Sequence, residues 1–235
     1  TGGTTTDLAK IKALTPDGVL ALMGDSTNAD KPGRTMTEQV VSETLDELFE
    51  QAEGKRIIIA TFASLLARLQ EIMTLAQKHG RRVALTGRSL EQNVELAREL
   101  GYLKLPKKLL IDIDTRVPDG ELLILSTGSQ GEPRSALNRM AEGKHRQVQI
   151  RRGDMVIISG GTNPGNERDG GRMLNNLFGR GANVIYGSLA QVHFSGHGNR
   201  EDFALMVDAV RPRFFIPVHG ETRHLHLHAR LAQDG

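Results

Sequence analysis

The feature that most constrains this chain is an alternation. Short apolar runs repeatedly give way to longer stretches whose apolar residues lie three or four apart. The runs are residues 18–23 (GVLALM), 56–61 (RIIIAT), 82–86 (RVALT), 109–113, 121–126, 154–159, 183–186 and 214–218 (FFIPV). Runs this short, bounded by turn residues, predict strands, with 18–23 and 214–218 read as buried. Helical patterns lie between them. Thr37 is placed to cap a helix with apolar positions Val40, Val41, Leu45, Leu48 and Phe49. Ser64 is placed to cap the next, and Gly80 to end it. A third begins at Ser89 and stops at Gly101, and others are predicted over 134–141, 167–180, 200–210 and 221–232. Strands followed repeatedly by helices predict an α/β fold, a mostly parallel sheet with helices on both faces.

In such sheets ligands bind beyond the carboxyl ends of the strands. The loops at those ends share a composition: TFAS after 56–61, TGRS after 82–86, STGSQGEP after 121–126 and SGGTNPGNE after 154–159. They are small and polar, glycine recurs in three of the four, and helices follow them. A helix start offers unpaired N–H groups and a partial positive charge, and glycine lets the backbone approach a phosphate. Ser, Thr and Gly are also ordinary turn and cap residues. A single loop would therefore say little, whereas four on one sheet edge point to phosphate.

Six of the eight histidines lie between His193 and His228. His193 and His197 stand in HFSGHGN after a strand, and His219 in IPVHGE at the end of another. A neutral imidazole held there can ligate zinc or manganese, or act as acid or base. A lone histidine at a turn is more often a hydrogen-bonded structural residue. Asp25, in GDSTN, also follows a strand, and is as readily a cap or an Asx turn. His224 and His228 in HLHLHAR are one helical turn apart, close enough to share an ion. With no acid interleaved, a solvated helix face is the preferred reading.

Composition narrows the chemistry. There is no cysteine, so any metal must be held by histidines and carboxylates. No apolar run is long enough to cross a membrane and no signal peptide is apparent, which fits the cytoplasm. The net charge of +2 does not by itself announce nucleic acid. Basic clusters stand at 81–82, 107–108 and 144–152, where a solvated loop is the default reading. The opening TGGTTT reads as a linker or truncation scar.

Taken in order, GDSTNADKPG, TFASLLARLQ, TGSQGEPRSALNRMA, PGNE, SGHGN and IPVHGETRHL resemble the ribonuclease J family of metallo-β-lactamase/β-CASP nucleases, over residues 7–235. The resemblance implies a β-CASP domain over 34–187. Residues 7–33 and 188–235 would form a partial metallo-β-lactamase αββα portion, after a linker over 1–6. It implies that Asp25 is the motif A acid, supporting the active site without being a principal metal ligand. His197 is then the motif B histidine, contacting the scissile phosphate and assisting proton transfer, and His219 the motif C histidine, ligating one of two Zn or Mn ions. Substrate binding would fall to His193, Phe194, Ser195, Gly196 and His197, with Ser129, Gly131 and Glu132 from the glycine-rich loop. The implied activity is hydrolysis of single-stranded RNA from a 5′-monophosphate end, with internal cleavage besides, in RNA turnover and maturation by a cytoplasmic homodimer.

The chain departs from the family in lacking the His-x-His-x-Asp-His motif, the next histidine ligand and the bridging aspartate. SGGTNPGNE differs from the usual Ser-Pro-Ile-Pro-Gly-Asn-Glu, and the family's C-terminal domain is missing. The isolated chain is therefore expected to be inactive. Two other readings remain: an inert RNA-binding β-CASP module, and a metallo-β-lactamase relative acting on a small molecule, against which the β-CASP loops argue.

Overall fold

A computed structural model describes residues 6–161 and 165–234. The chain opens with α1 (Leu8–Leu14), β1 (Val19–Asp25), α2 (Glu38–Gln51), β2 (Ile57–Thr61), α3 (Leu66–Lys78), β3 (Arg82–Thr86), α4 (Arg88–Glu99) and β4 (Leu110–Ile111). It continues with β5 (Leu122–Ser126), α5 (Ala136–Glu142), β6 (Met155–Ser159), α6 (Glu167–Gly179), β7 (Asn183–Ile185), α7 (Arg200–Val210), β8 (Pro212–Val218) and α8 (Thr222–Asp234). TGGTTT up to Thr5, and Thr162, Asn163 and Pro164 of the SGGTNPGNE loop, lie outside the described residues. No described helix is long and apolar enough to cross a membrane.

Two compact units result, one spanning Thr37–Phe194 and the other built, among the described residues, from 6–36 and 195–234. In the first, six strands pair in the order β4-β3-β5-β2-β6-β7, every pair parallel. Side chains alternate across the sheet, as strand geometry requires. Ile57 and Ile59 face a core shared with α2, α3 and α4, while Ile58 and Ala60 face one shared with α5 and α6. All three isoleucines of β2 are fully buried, each contributing roughly 1.5–3 kcal/mol. A sheet covered on both faces reads as continuous apolar strands, which is why this unit was legible from its pattern.

The second unit pairs β1 with β8, also parallel. Both strands are less buried than their apolar sequences predict: Leu20 is 70% exposed, Met23 66%, Phe214 54% and Ile216 45%. A strand pair has two faces, and α7 and α8 pack against this one without enclosing it. Helix starts also differ in detail. Leu65, not Ser64, precedes α3, and α4 opens at Arg88 behind Gly87, whose N–H donates to Glu91.

Candidate functional site

The β1–β8 register sets Asp25 beside Val218, so the strand that ends in Asp25 runs alongside the one that delivers His219. The Ser26 N–H donates to the His219 carbonyl at 3.2 Å, joining the two exits. His219 adopts φ +56, a left-handed conformation uncommon outside glycine, ahead of Gly220 at φ +118. His197 is brought to the same place from the segment before α7. Its Nδ1 lies 2.6 Å from Asp25 Oδ2, and its ring centroid 5.3 Å from that of His219. Ligand atoms of Asp25, His197 and His219 all fall within 4.8 Å of one another, the only such group of three among the described residues.

Polar side chains fix two of the three members, Asp25 and His197. Thr27 donates to Asp25 Oδ1 through its N–H (3.1 Å) and hydroxyl (2.8 Å). Partial burial pushes the Asp25 carboxyl up, but the hydrogen bonds from His197 and Thr27 outweigh it and hold the group below the usual carboxylate range. The His197 carbonyl accepts from Asn28 Nδ2 and Thr35 Oγ1, both at 3.1 Å, and its N–H donates to Ser195 Oγ. Asp202 completes the frame by accepting from the N–H groups of Thr35 (2.8 Å) and Asn199 (3.0 Å).

Helix α8 corrects the reading of HLHLHAR as a solvated face. His224 and His228 are its buried residues, 7% and 2% exposed, and each has its own hydrogen-bond partner. His228 Nδ1 lies 3.0 Å from Ser26 Oγ, with the ring between Phe203 and Phe215 (centroids 4.3 and 4.5 Å). His224 Nδ1 accepts from the Glu221 N–H, and its ring underlies Gly220. One histidine thus backs the Asp25 turn and the other the His219 turn. Replacing His228 with alanine would leave a cavity between Phe203 and Phe215 and reduce the buried Ser26 hydroxyl to its bond with the Gly24 carbonyl, and is expected to cost about 2–4 kcal/mol in urea unfolding. A change below 0.5 kcal/mol would contradict that role.

In the first unit the parallel order sets the four loops, three of them with glycine, side by side on one edge, in the sequence TGRS, STGSQGEP, TFAS, SGG. Two of them close a pocket of about 190 Å³ lined by Ser129, Gly131, Gly160, Gly161, Tyr186 and Ser188 among others. Glycine is needed there: a Cβ on Gly160 would stand 2.4 Å from that of Ser129, and one on Gly131, at φ +79, 3.0 Å from Gly170 Cα. Glu132 is not in the lining; its carboxylate accepts from the Gln130 N–H at 2.9 Å and closes the loop upon itself.

The stretch 193–197 divides between the units. His193 is half-buried between Phe62 and Phe194, near Gly161, and its Nδ1 has no hydrogen-bond partner among the described residues. Burial, reinforced by the nearby Arg68 guanidinium, pushes its pKa down to about 4. Phe194 packs against the core. Ser195 Oγ accepts from Asn28 and from the His197 N–H, while Gly196 is exposed. Sequence reasoning missed Arg68, which is 1% exposed, pairs with Glu38 and donates to Ser159 Oγ and the Val192 carbonyl. It missed Asn28 too, although the GDSTN motif contains it.

These titrations predict acid sensitivity. His193, His145 and His228 all have pKa values below the ordinary 6.5, chiefly through burial. The unfolded chain therefore binds more protons between about pH 6.5 and 4, and stability falls as pH drops through that window. Asp25 and Asp202, held below 3.8, add a further loss at lower pH. The urea midpoint is expected to be lower at pH 5 than at pH 7.5 and lower again at pH 3; a flat profile would contradict the burial of these rings.

The chain thus joins a parallel α/β unit with small, polar strand ends to a unit that carries a histidine–carboxylate cluster. The family model "Ribonuclease J, beta-CASP domain" matches residues 54–177, and "Zn-dependent metallo-hydrolase RNA specificity domain" matches residues 182–235. The chain belongs to the ribonuclease J family. It is 45% identical to a ribonuclease J of Synechocystis sp. over 97% of its length and 36% of the relative's. It is 42% identical to that of Thermus thermophilus (94% and 39%) and 38% identical to ribonuclease J2 of Bacillus subtilis (98% and 41%). The chain thus spans well under half the length of the curated relatives it matches.

Proposed function

We propose that this chain is the β-CASP and returning metallo-β-lactamase part of a metal-dependent ribonuclease. The enzyme degrades single-stranded RNA from a 5′-monophosphate end and also cuts internally. The observation that carries the proposal is the Asp25–His197 hydrogen bond beside His219, within a chain of this family.

The donor chemistry separates the roles. Asp25 Oδ2 and His197 Nδ1 face each other at 2.6 Å, so neither of those atoms is turned toward an ion. The His219 ring has no hydrogen-bond partner among the described residues, which suits a metal ligand. A bound Zn or Mn ion would supply an activated water and charge stabilisation at phosphorus. His197, with Nδ1 held by Asp25, keeps Nε2 for the substrate and exchanges a proton near the leaving oxygen. His193 and Phe194, Ser195 and Gly196, and the loop residues Ser129, Gly131 and Glu132 serve the RNA backbone and its 5′-phosphate. Of these, Ser129 and Gly131 line the glycine-edged pocket, while Glu132 shapes its loop.

One imidazole is too few to hold zinc, since stable sites use three or four protein ligands. We therefore expect the isolated 235-residue chain to bind RNA but hydrolyse it weakly or not at all. The test is a fluorescent RNA oligonucleotide, with and without 5′-monophosphate, offered to the chain in Mn²⁺ or Zn²⁺. Binding that favours the monophosphate, without turnover, is expected. Metal-dependent digestion at the rate of an intact nuclease, abolished by His219→Ala, would overturn the inactivity. Absence of any RNA binding would overturn the proposal.

A further inference from the structure

The first unit is electrically polarised across its sheet. On one face, α2 carries Glu38, Glu43, Asp46, Glu47 and Glu50 and neither Lys nor Arg. On the other face, where α5 and α6 pack, residues 139–152 hold five Lys or Arg and a single acid, Glu142. We propose that this second face, built from α5, the loop after it and the end of α6, is a docking surface for single-stranded RNA, separate from the glycine-rich strand ends. The inference rests on the reading of the chain as an RNA binder and adds a second place where the strand is held.

The basic residues are neighbours in space as well as in sequence. Gly143 turns the chain at φ +75 and lies so close to Arg180 that a Cβ there would stand 2.4 Å from Nη2. Arg180 Nε donates to the Ala141 carbonyl at 2.6 Å, which pins its guanidinium between the two helices. A Cβ on Gly181 would lie 3.1 Å from Arg152 Cγ, extending the patch. Between α5 and α6 lies a shallow depression of about 470 Å³ lined by Glu142, Lys144, Asn175, Asn176 and Arg180 among others. Its one acid is engaged by Lys144 at 2.9 Å.

Cations gather at helix C-termini for the sake of the helix dipole, and that accounts for Arg180 and Lys144. It accounts for Arg139 as well, in the last turn of α5, but not for Arg146 and Arg152; all three are exposed and have no carboxylate partner among the described residues. Such a patch suits a polyanion. The choice of single-stranded RNA comes from Phe178, 48% exposed on α6 and three residues from Asn175. An exposed aromatic ring two residues along the chain from Arg180 offers unpaired bases a surface to stack upon, whereas a duplex offers no free base.

The test is the salt dependence of RNA binding by the 235-residue chain. Each phosphate contact on a single strand contributes about 0.7 to the slope of log affinity against log salt. The triple variant Arg139→Glu, Arg146→Glu, Arg152→Glu is expected to lower that slope by about 2 and to weaken binding at least ten-fold at low salt. Glu43→Gln with Glu47→Gln on the acidic face should leave the slope unchanged, and circular dichroism should show both variants folded. Phe178→Ala should weaken single-stranded RNA about ten-fold and leave inorganic polyphosphate binding unchanged. A wild-type chain that binds RNA with a slope the triple variant does not alter would refute the surface and leave binding to the strand-end loops. A lowered slope with no effect of Phe178→Ala would refute the choice of single-stranded RNA in favour of a general polyanion. A wild-type chain that binds no RNA would overturn this inference together with the reading it rests on.

Discussion

Replacing His197 with alanine is expected to slow RNA hydrolysis by the full-length protein by about 10²- to 10⁴-fold, chiefly in kcat, with RNA affinity little changed. The expectation follows from how the ring is held. Asp25 accepts from Nδ1 at 2.6 Å, which fixes the tautomer and orientation and leaves Nε2 as the working nitrogen. Asp25 is itself kept ionised by the His197 hydrogen bond and by two more from Thr27. Asp25→Asn should therefore also lower kcat, because an amide can donate to Nδ1 and favour the wrong tautomer. An equal rise in KM for both variants, with kcat preserved, would recast the pair as RNA-positioning groups.

Removing Arg68 is expected to be the most destabilising change in the first unit. Its guanidinium is 1% exposed and pairs with Glu38, which is itself only 18% exposed. It also holds Ser159 at the end of β6 and the Val192 carbonyl, one residue before His193. Arg68→Met fills the space but strands a carboxylate, and breaking such a pair costs about 3–5 kcal/mol. Because Arg68 adds to the depression of the His193 pKa, the ring should titrate above about 4 in the folded variant. Unfolding and histidine NMR titrations together check the point. A stability loss under 1 kcal/mol with an unmoved His193 would contradict it.

How much of this was legible in the sequence depended on how uniquely a pattern fixes an environment. The central strands were readable because sheets covered on both faces demand unbroken apolar runs, as in IIIAT and MVIIS, both fully buried. The loops at their ends followed from the parallel order alone. β1 and β8 look the same in sequence, yet their burial depends on what covers the pair, which no local pattern records. His224 and His228 were misread for a related reason: an i, i+4 pair marks one helical face without saying whether that face turns inward. Arg68 looked like an ordinary cation on an amphipathic helix, and Asn28 like a turn residue. Asp25 and His219 were legible as strand-end residues; His197 was expected after a strand but lies in the irregular segment between β7 and α7, and the structure nonetheless brings the three together.

The most direct test of the central claim, that His219 belongs to a metal centre served by Asp25 and His197, is the metal content of the purified full-length protein beside that of its His219→Ala variant. The account predicts that the variant, still folded and still binding RNA, loses bound Zn or Mn and with it hydrolysis. A variant that kept both its metal and its activity would contradict it.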